Sequence, residues 1–428
     1  MLSKKNPLQA FEKIKFAYLA ALGILFWGLL QQYATQAGIW LTADSFDYLA
    51  AAQSLHVKNA LLRANGKPFV HWTPLYPALL ACIGKNKGEI LPFVAAQQLF
   101  FSVILYFFLY QIIKKNVKSA IARIWTFLAL LTALPLFMVS IFLWSESFFL
   151  LLLAALWYFY PDKKNTSKSF TFQSLCFALL ALLLVMQRNA GIFWLLGLLM
   201  MLFTASSQDF FKSEKWKSYA YFYQTFSHFF YLSLLFLPAF LFFLFWQWRG
   251  FHLSEGKFRA QSHAYGSSLV ENLTLYGSKI WNSLLPDSLF SHLWHFFGFE
   301  FEKLPTYLGA GIAIFLVLGL GILFIFFTKN KTLSLFYGAA FFYFVALNSL
   351  GKIQAADGER LLAPFFLVHW VGLGFYLEKV LFYDINTKKT NKLWRILAWT
   401  LAWTLAFIWL LYPLSRLLKN AIFWHQGM

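Results

Sequence analysis

The chain has 428 residues and a formal charge of +19, and 60% of it is hydrophobic against only 12% charged. Soluble domains average about 25% charged and about 45–50% apolar residues, so a water-soluble globular protein is excluded. The basic excess does not call for nucleic acid, because multi-pass membrane proteins keep Lys and Arg in their cytoplasmic segments.

Apolar runs near the roughly 20 residues that cross a bilayer as a helix predict spans at about 16–37, 91–113, 120–141, 144–160, 170–186, 190–205, 225–248, 306–328, 333–350, 361–382 and 395–414. Backbone groups in lipid must be satisfied within the segment, and runs of this length do so only as helices. The expected fold class is an all-α integral membrane protein of about eleven transmembrane helices, forming one polytopic domain over 1–428. Lys4, Lys5, Lys13 and Lys15 precede the first run and no small-residue cleavage site follows it. That pattern reads as an uncleaved signal anchor with a cytoplasmic N-terminus. Alternating sides from there places most Lys and Arg inside and most Asp and Glu outside, as the positive-inside rule expects.

Two outside segments are long, 38–90 and 249–305. The first opens on "TADSFDYLAAAQSL", apolar at roughly helical spacing, and continues to a short apolar stretch at 74–83, "PLYPALLACI". That stretch is too short to span and is read as interfacial. Pro74 and Pro77 suit the start of a short helix. Cys82 and Cys176 form no redox or metal-ligand spacing.

Charge within a span is costly and is usually functional. Here the informative charges gather at the outer ends of spans instead. They are Asp44 and Asp47 after the first span, Glu146 in "LWSESFFLL", Arg188 in "MQRNAG", Arg249, and Asp357, Glu359 and Arg360 in "AADGERLLAPFF". Each has a plain alternative. Asp44 can be a helix N-cap, with Asp47 at the third helical position. Glu146 can favour a helix dipole in the same way, and Arg188 and Arg360 can snorkel to lipid headgroups. A transporter would place ionisable groups near the midplane, on broken helices. Acids and arginines along one interface suit chemistry on a lipid headgroup better.

Taken in order, "TADSFDYLAAAQSL", "HWTPLYPALLACIG", "LWSESFFLLLLAALWYF", "MQRNAGIFWLLGLLMM" and "GERLLAPFF" resemble the GT-C superfamily of membrane glycosyltransferases, in its protein O-mannosyltransferase-like and lipid A-modifying branches. The resemblance implies a polyprenyl-phosphate-linked sugar donor, a membrane lipid setting and an outward-facing cavity. It also implies transfer with inversion to a glycan, lipid or protein acceptor. On the family's first-loop pattern, Asp44 stands as the base and Tyr48 as the aromatic residue, while Ser45 replaces the family's usual second acid. The base therefore stays open between Asp44 and Asp47. Glu146 matches the second acid of the site, Pro74, Tyr76 and Pro77 match the family's proline–tyrosine stretch, and Arg188 and Arg360 match its arginines. Candidate catalytic residues are Asp44, Asp47 and Glu146. Candidate substrate-binding residues are Tyr48, His71, Tyr76, Arg188, Arg259, His263 and Arg360.

The chemistry is reasonable from below. A carboxylate can take the acceptor's proton, and arginines can stabilise charge on a departing phosphate. No P-loop or GxGxxG provides for a soluble nucleotide sugar. No HExxH-type spacing marks a metal site, and dependence on a divalent metal is left open. Two alternatives stand beside this reading: a ligase or polymerase of lipid-linked glycans, for which the Arg- and His-bearing 249–305 segment speaks, and a non-enzymatic transporter or flippase. A bacterial inner membrane, with the active face outside the cytoplasm, is the expected location.

Overall fold

The computed structural model describes residues 7–70, 72–161, 172–211, 219–254, 269–284, 330–349, 358–387 and 392–426, together with 311 and 314. The span expected at 306–328, most of the 249–305 segment, and His71, Arg259, His263 and Asp357 lie outside the described residues, as does the Glu359 side chain.

The described residues form helices with no named strand. In chain order they are α1 (Pro7–Ala34), α2 (Ala43–Lys58), α3 (Leu75–Ile83), α4 (Lys87–Asn116), α5 (Ala120–Leu131), α6 (Leu134–Ile141) and α7 (Glu146–Tyr158). Then follow α8 (Phe172–Gln187), α9 (Gly191–Phe211), α10 (Tyr219–Leu253), α11 (Leu269–Leu284), α12 (Lys331–Ser349), α13 (Gly358–Thr387) and α14 (Lys392–His425). Six of them contain stretches long and apolar enough to cross a membrane: α1, α4, α9, α10, α13 and α14. Three more are shorter apolar helices, α7, α8 and α12. α2 and α3 make up the helical part of the first long loop, as the sequence pattern predicts.

One expected span is broken. The run 120–141 is two helices, α5 and α6, bent by 43° at their break. The cause is Pro135, at the start of α6. Proline lacks the N–H that would continue the α5 ladder, and Ala133, the N-cap of α6, is extended at φ −68° and ψ 104°. Apolar content alone does not register that break.

α13 runs through the middle of the bundle, packed on α5, α6 and α12. Its buried face includes Leu362, Phe365, Phe366 and Trp370. α7 is buried along most of its length. α1, α10 and α14 instead expose leucines such as Leu25, Leu241 and Leu405, as lipid-facing helices do. Lipid gives helices little hydrophobic reason to associate, so close packing at small residues does that work. α9 meets α12 where a β-carbon on Gly197 would stand 2.8 Å from the Ala339 Cα. α5 meets α13 where a β-carbon on Gly374 would overlap the Thr126 hydroxyl.

The first loop is tied to the bundle at its start and folded on itself further on. Trp40 pairs with the α6–α7 connection, its N–H donating to the Ile141 carbonyl at 3.1 Å and its carbonyl accepting from Leu143 N–H at 2.9 Å. After α2, residues 61–69 turn back on themselves: the Arg63 N–H donates to the Lys67 carbonyl and the Phe69 N–H to the Leu61 carbonyl, at 2.8 and 2.9 Å. Gly66 sits in this turn at φ +76°, a conformation that costs a side-chain-bearing residue.

Candidate active site

The capping chemistry of α2 settles one sequence expectation against Asp44. The N-cap is Thr42, and Ser45 Oγ accepts from the Thr42 N–H at 2.9 Å. Asp44 is therefore in the first turn rather than at the cap. There the helix dipole still favours its carboxylate, and the side chain is free to reach outward. The same Ser45 hydroxyl donates to the Leu143 carbonyl at 2.9 Å, which staples the start of α2 to the connection ahead of Glu146.

Four charged side chains from four separate segments then meet. Arg360, in the first turns of α13, donates from Nη2 to Asp44 Oδ2 at 2.7 Å. Its Nε stands 3.6 Å from Glu146 Oε1. Arg188 pairs with that same Glu146 oxygen. Asp44 and Glu146 are thus bridged through one guanidinium, and Glu146 through two. Their exposure differs: the Glu146 side chain is 3% accessible and that of Asp44 is 23%. Glu146 is a buried anchor, and Asp44 is the acid that reaches solvent.

Each member is positioned by local structure. Arg188 lies in the tight turn between α8 and α9, where the Gly191 N–H returns to the Arg188 carbonyl at 2.9 Å. A β-carbon at Gly191 would stand 2.7 Å from the Leu184 carbonyl oxygen, so the turn needs glycine there. Ser145 is a hub beside Glu146. Its hydroxyl lies 3.2 Å from the Tyr48 hydroxyl and 3.4 Å from both Glu146 Oε2 and Arg188 Nη1. Its carbonyl accepts from Gln187 Nε2 at 2.8 Å. Gln98, in the middle of α4, directs Nε2 to the Tyr76 hydroxyl and to the carbonyls of Phe142 and Trp144, at 3.1 to 3.2 Å. Thr42, Gln98, Trp144, Ser145 and Gln187 were not singled out in the sequence. Gln98 was the most findable, as one of a few amides inside a mostly apolar span.

The remaining sequence candidates are placed as follows. Asp47 faces away from the cluster. Its Oδ2 accepts from Arg63 Nε and Nη2 at 3.0 and 2.8 Å, and its Oδ1 from the Ala64 N–H at 3.3 Å. Tyr48 and Tyr76 are buried, with ring centroids 5.2 Å apart, and form a wall behind the acids with Phe69 and Trp72. Burial, and then the charge of Glu146, raises the Tyr48 phenol above its ordinary range, and burial does the same to Tyr76. Both therefore remain protonated donors or acceptors. Burial works against the Arg188 charge, but Glu146 more than compensates and holds the guanidinium protonated. Arg249 lies outside the four-charge cluster, with Nη1 donating to the Phe69 carbonyl at 3.2 Å and its guanidinium 4.6 Å from the Trp246 ring centre. Its helix is still tied to the Arg188 turn, through Gln247 Nε2 and Asn189 Oδ1 at 3.3 Å.

A groove of about 530 Å³ lies between α2 and α3, lined in part by His56, Cys82, Lys85 and Glu89, and includes none of the four charged residues. Cys82 and Cys176 are both free thiols. Among the described residues no three His, Cys, Asp or Glu side chains come together as metal ligands.

No protein-family model matches this chain, and no curated protein does. Among solved structures, the chain is similar to the crystal structure of ArnT from Cupriavidus metallidurans bound to undecaprenyl phosphate, at 11% identity and a TM-score of 0.48, over 96% of this chain and 75% of that one.

Proposed function

We propose that the protein is an integral-membrane glycosyltransferase that moves a sugar from a polyprenyl-phosphate donor to an acceptor outside the cytoplasm, with inversion at the anomeric carbon. The observation that carries this reading is the Asp44–Arg360–Glu146–Arg188 constellation, gathered at the end of the bundle where α2 and α3 lie. It sets a partly exposed carboxylate next to guanidinium groups at the ends of apolar helices. Such a site suits a substrate with a phosphate headgroup and a lipid tail.

In the reaction, Asp44 takes the proton of an acceptor hydroxyl as its oxygen attacks the anomeric carbon. The bond from that carbon to the phosphate oxygen breaks, and the lipid phosphate leaves with the electron pair. Arg360 and Arg188 hold the charge that develops on the phosphate. Glu146 keeps both guanidinium groups in place. A phosphate arriving at Arg360 competes with Asp44 for the guanidinium and so frees the carboxylate as the proton acceptor.

The test uses the full-length protein in vesicles, with a panel of polyprenyl-phosphate sugars and membrane extract as acceptor. Asp44→Asn keeps the size of the side chain and a hydrogen bond to Arg360, so it inserts and folds. Loss of its transfer by a factor of about 100 or more is expected for removal of a general base. Transfer by Asp44→Asn at the wild-type rate would remove Asp44 as the base. A folded wild type that uses no monosaccharide donor would remove the proposal.

A further inference from the structure

Asp44 and Arg360 come from α2 and α13, which are far apart in the chain. One side chain contacts the supports of both. The Trp144 ring centre lies 4.8 Å from the Arg360 guanidinium carbon. The indole Nε1–H of the same residue donates to Thr42 Oγ1 at 2.9 Å. Thr42 is the N-cap of α2, two residues ahead of Asp44. Trp144 is itself held firmly. Its ring stacks on Phe142 with centroids 4.2 Å apart and planes 10° apart. Its carbonyl accepts from the buried Gln98 amide at 3.1 Å, and only 6% of the residue is accessible. The ring is therefore a backing to the site rather than a surface offered to a ligand.

We infer that Trp144 is a positioning residue that sets Asp44 against Arg360, gripping the base-bearing helix through its N–H and the guanidinium through its ring face. The inference rests on the transfer reading above. Its physical content is a division of labour. When the Asp44 carboxylate turns toward an acceptor, Arg360 loses its shortest salt bridge. The ring face and Glu146 then keep the guanidinium in position to receive the phosphate. Trp144 acts through Arg360 and Thr42 and need not touch substrate.

Three variants separate the two grips. Trp144→Phe keeps a ring under Arg360 and removes the N–H. Thr42→Val removes the acceptor of that N–H at equal size. Trp144→Leu removes both grips. Donor is titrated against each in vesicles, with kcat and KM read separately. Losing the bond between Trp144 and Thr42 is expected to lower kcat about fivefold, with donor KM unchanged. Thr42→Val also loses the hydroxyl's 3.2 Å contact with Ser45 Oγ, so the Trp144→Phe/Thr42→Val pair should lose less than the two single effects multiplied. Trp144→Leu is expected to raise donor KM as well, by about tenfold, because the guanidinium loses its ring face. A wild-type kcat in Trp144→Phe, or multiplying effects in the pair, would overturn the assignment. If wild type uses no donor, the transfer reading falls on its own account. The grip is then decided by thermal unfolding of the same variants: losses that do not add support the Trp144–Thr42 link, and losses that add refute it.

Discussion

The Glu146–Arg188 pair offers a severe test of this architecture. The Glu146 side chain is 3% accessible and that of Arg188 is 18%. Arg188→Met removes the cation and leaves a carboxylate in a place with almost no water. Breaking a buried pair by removing one partner costs about 3–5 kcal/mol, most of it the penalty of the stranded charge. Here Arg360 Nε still stands 3.6 Å from the same carboxylate oxygen and covers part of the loss, so the lower figure of about 3 kcal/mol applies. That is roughly a hundredfold change in the folded-to-unfolded ratio, and a fall in Tm of about 3 °C for a chain of this size. Glu146→Gln/Arg188→Met removes both charges and should regain most of the lost stability, because no unpaired charge remains. The assay is thermal unfolding in matched detergent at one scan rate. Arg188→Met as stable as wild type, or a double variant no better than Arg188→Met, would refute the reasoning.

Gly197→Val forces a β-carbon and two methyls against the Ala339 backbone, so α9 and α12 must separate. A loss of about 1–3 kcal/mol is expected and shows as a lower Tm, whereas Gly311→Val, at a position open to space, should leave Tm unchanged. Gln98→Leu removes the Gln98 donor from the Trp144 carbonyl and leaves the Phe142 carbonyl with the Trp144 N–H, and should cost about 1–3 kcal/mol. The α6–α7 connection should then show faster amide exchange than the α9–α12 interface. Cys82 is exposed at the end of α3. With the first long loop outside, an impermeant maleimide added to intact cells should label Cys82, and labelling that needs permeabilised cells would reverse the orientation.

The sequence made the members of the constellation visible and left their partnerships hidden. Asp44, Glu146, Arg188 and Arg360 stood out because each is a charge at the same end of an apolar span. No local signal says that Arg360 bonds Asp44, 316 residues away, or that Asp47 turns to Arg63 instead. Those choices are made when α2 and α13 dock, and period and propensity carry no information about them. The alternative of Asp44 as a cap stood open because the sequence offers a hydroxyl at 42 as well as a carboxylate at 44. The geometry chose Thr42, since Ser45 could close back on its N–H. The α5–α6 break was written in Pro135, yet the apolar run continues unbroken through it. Length and hydropathy therefore read one continuous helix where the backbone makes two.

The stapling of the first loop to the α6–α7 connection has a consequence for chain length. Trp40 is fixed by its bonds to Ile141 and Leu143, and Ser45 by its bond to Leu143. The five steps from 40 to 45 are therefore counted out against a fixed ruler. One residue inserted among them would turn α2 by roughly 100° about its axis if Trp40 kept its place. Asp44 would then swing off the Arg360 guanidinium while every side chain of the site remained in the sequence. A substitution along 40–45 removes one contact at a time, but an insertion or deletion there would dismantle the site in a single event.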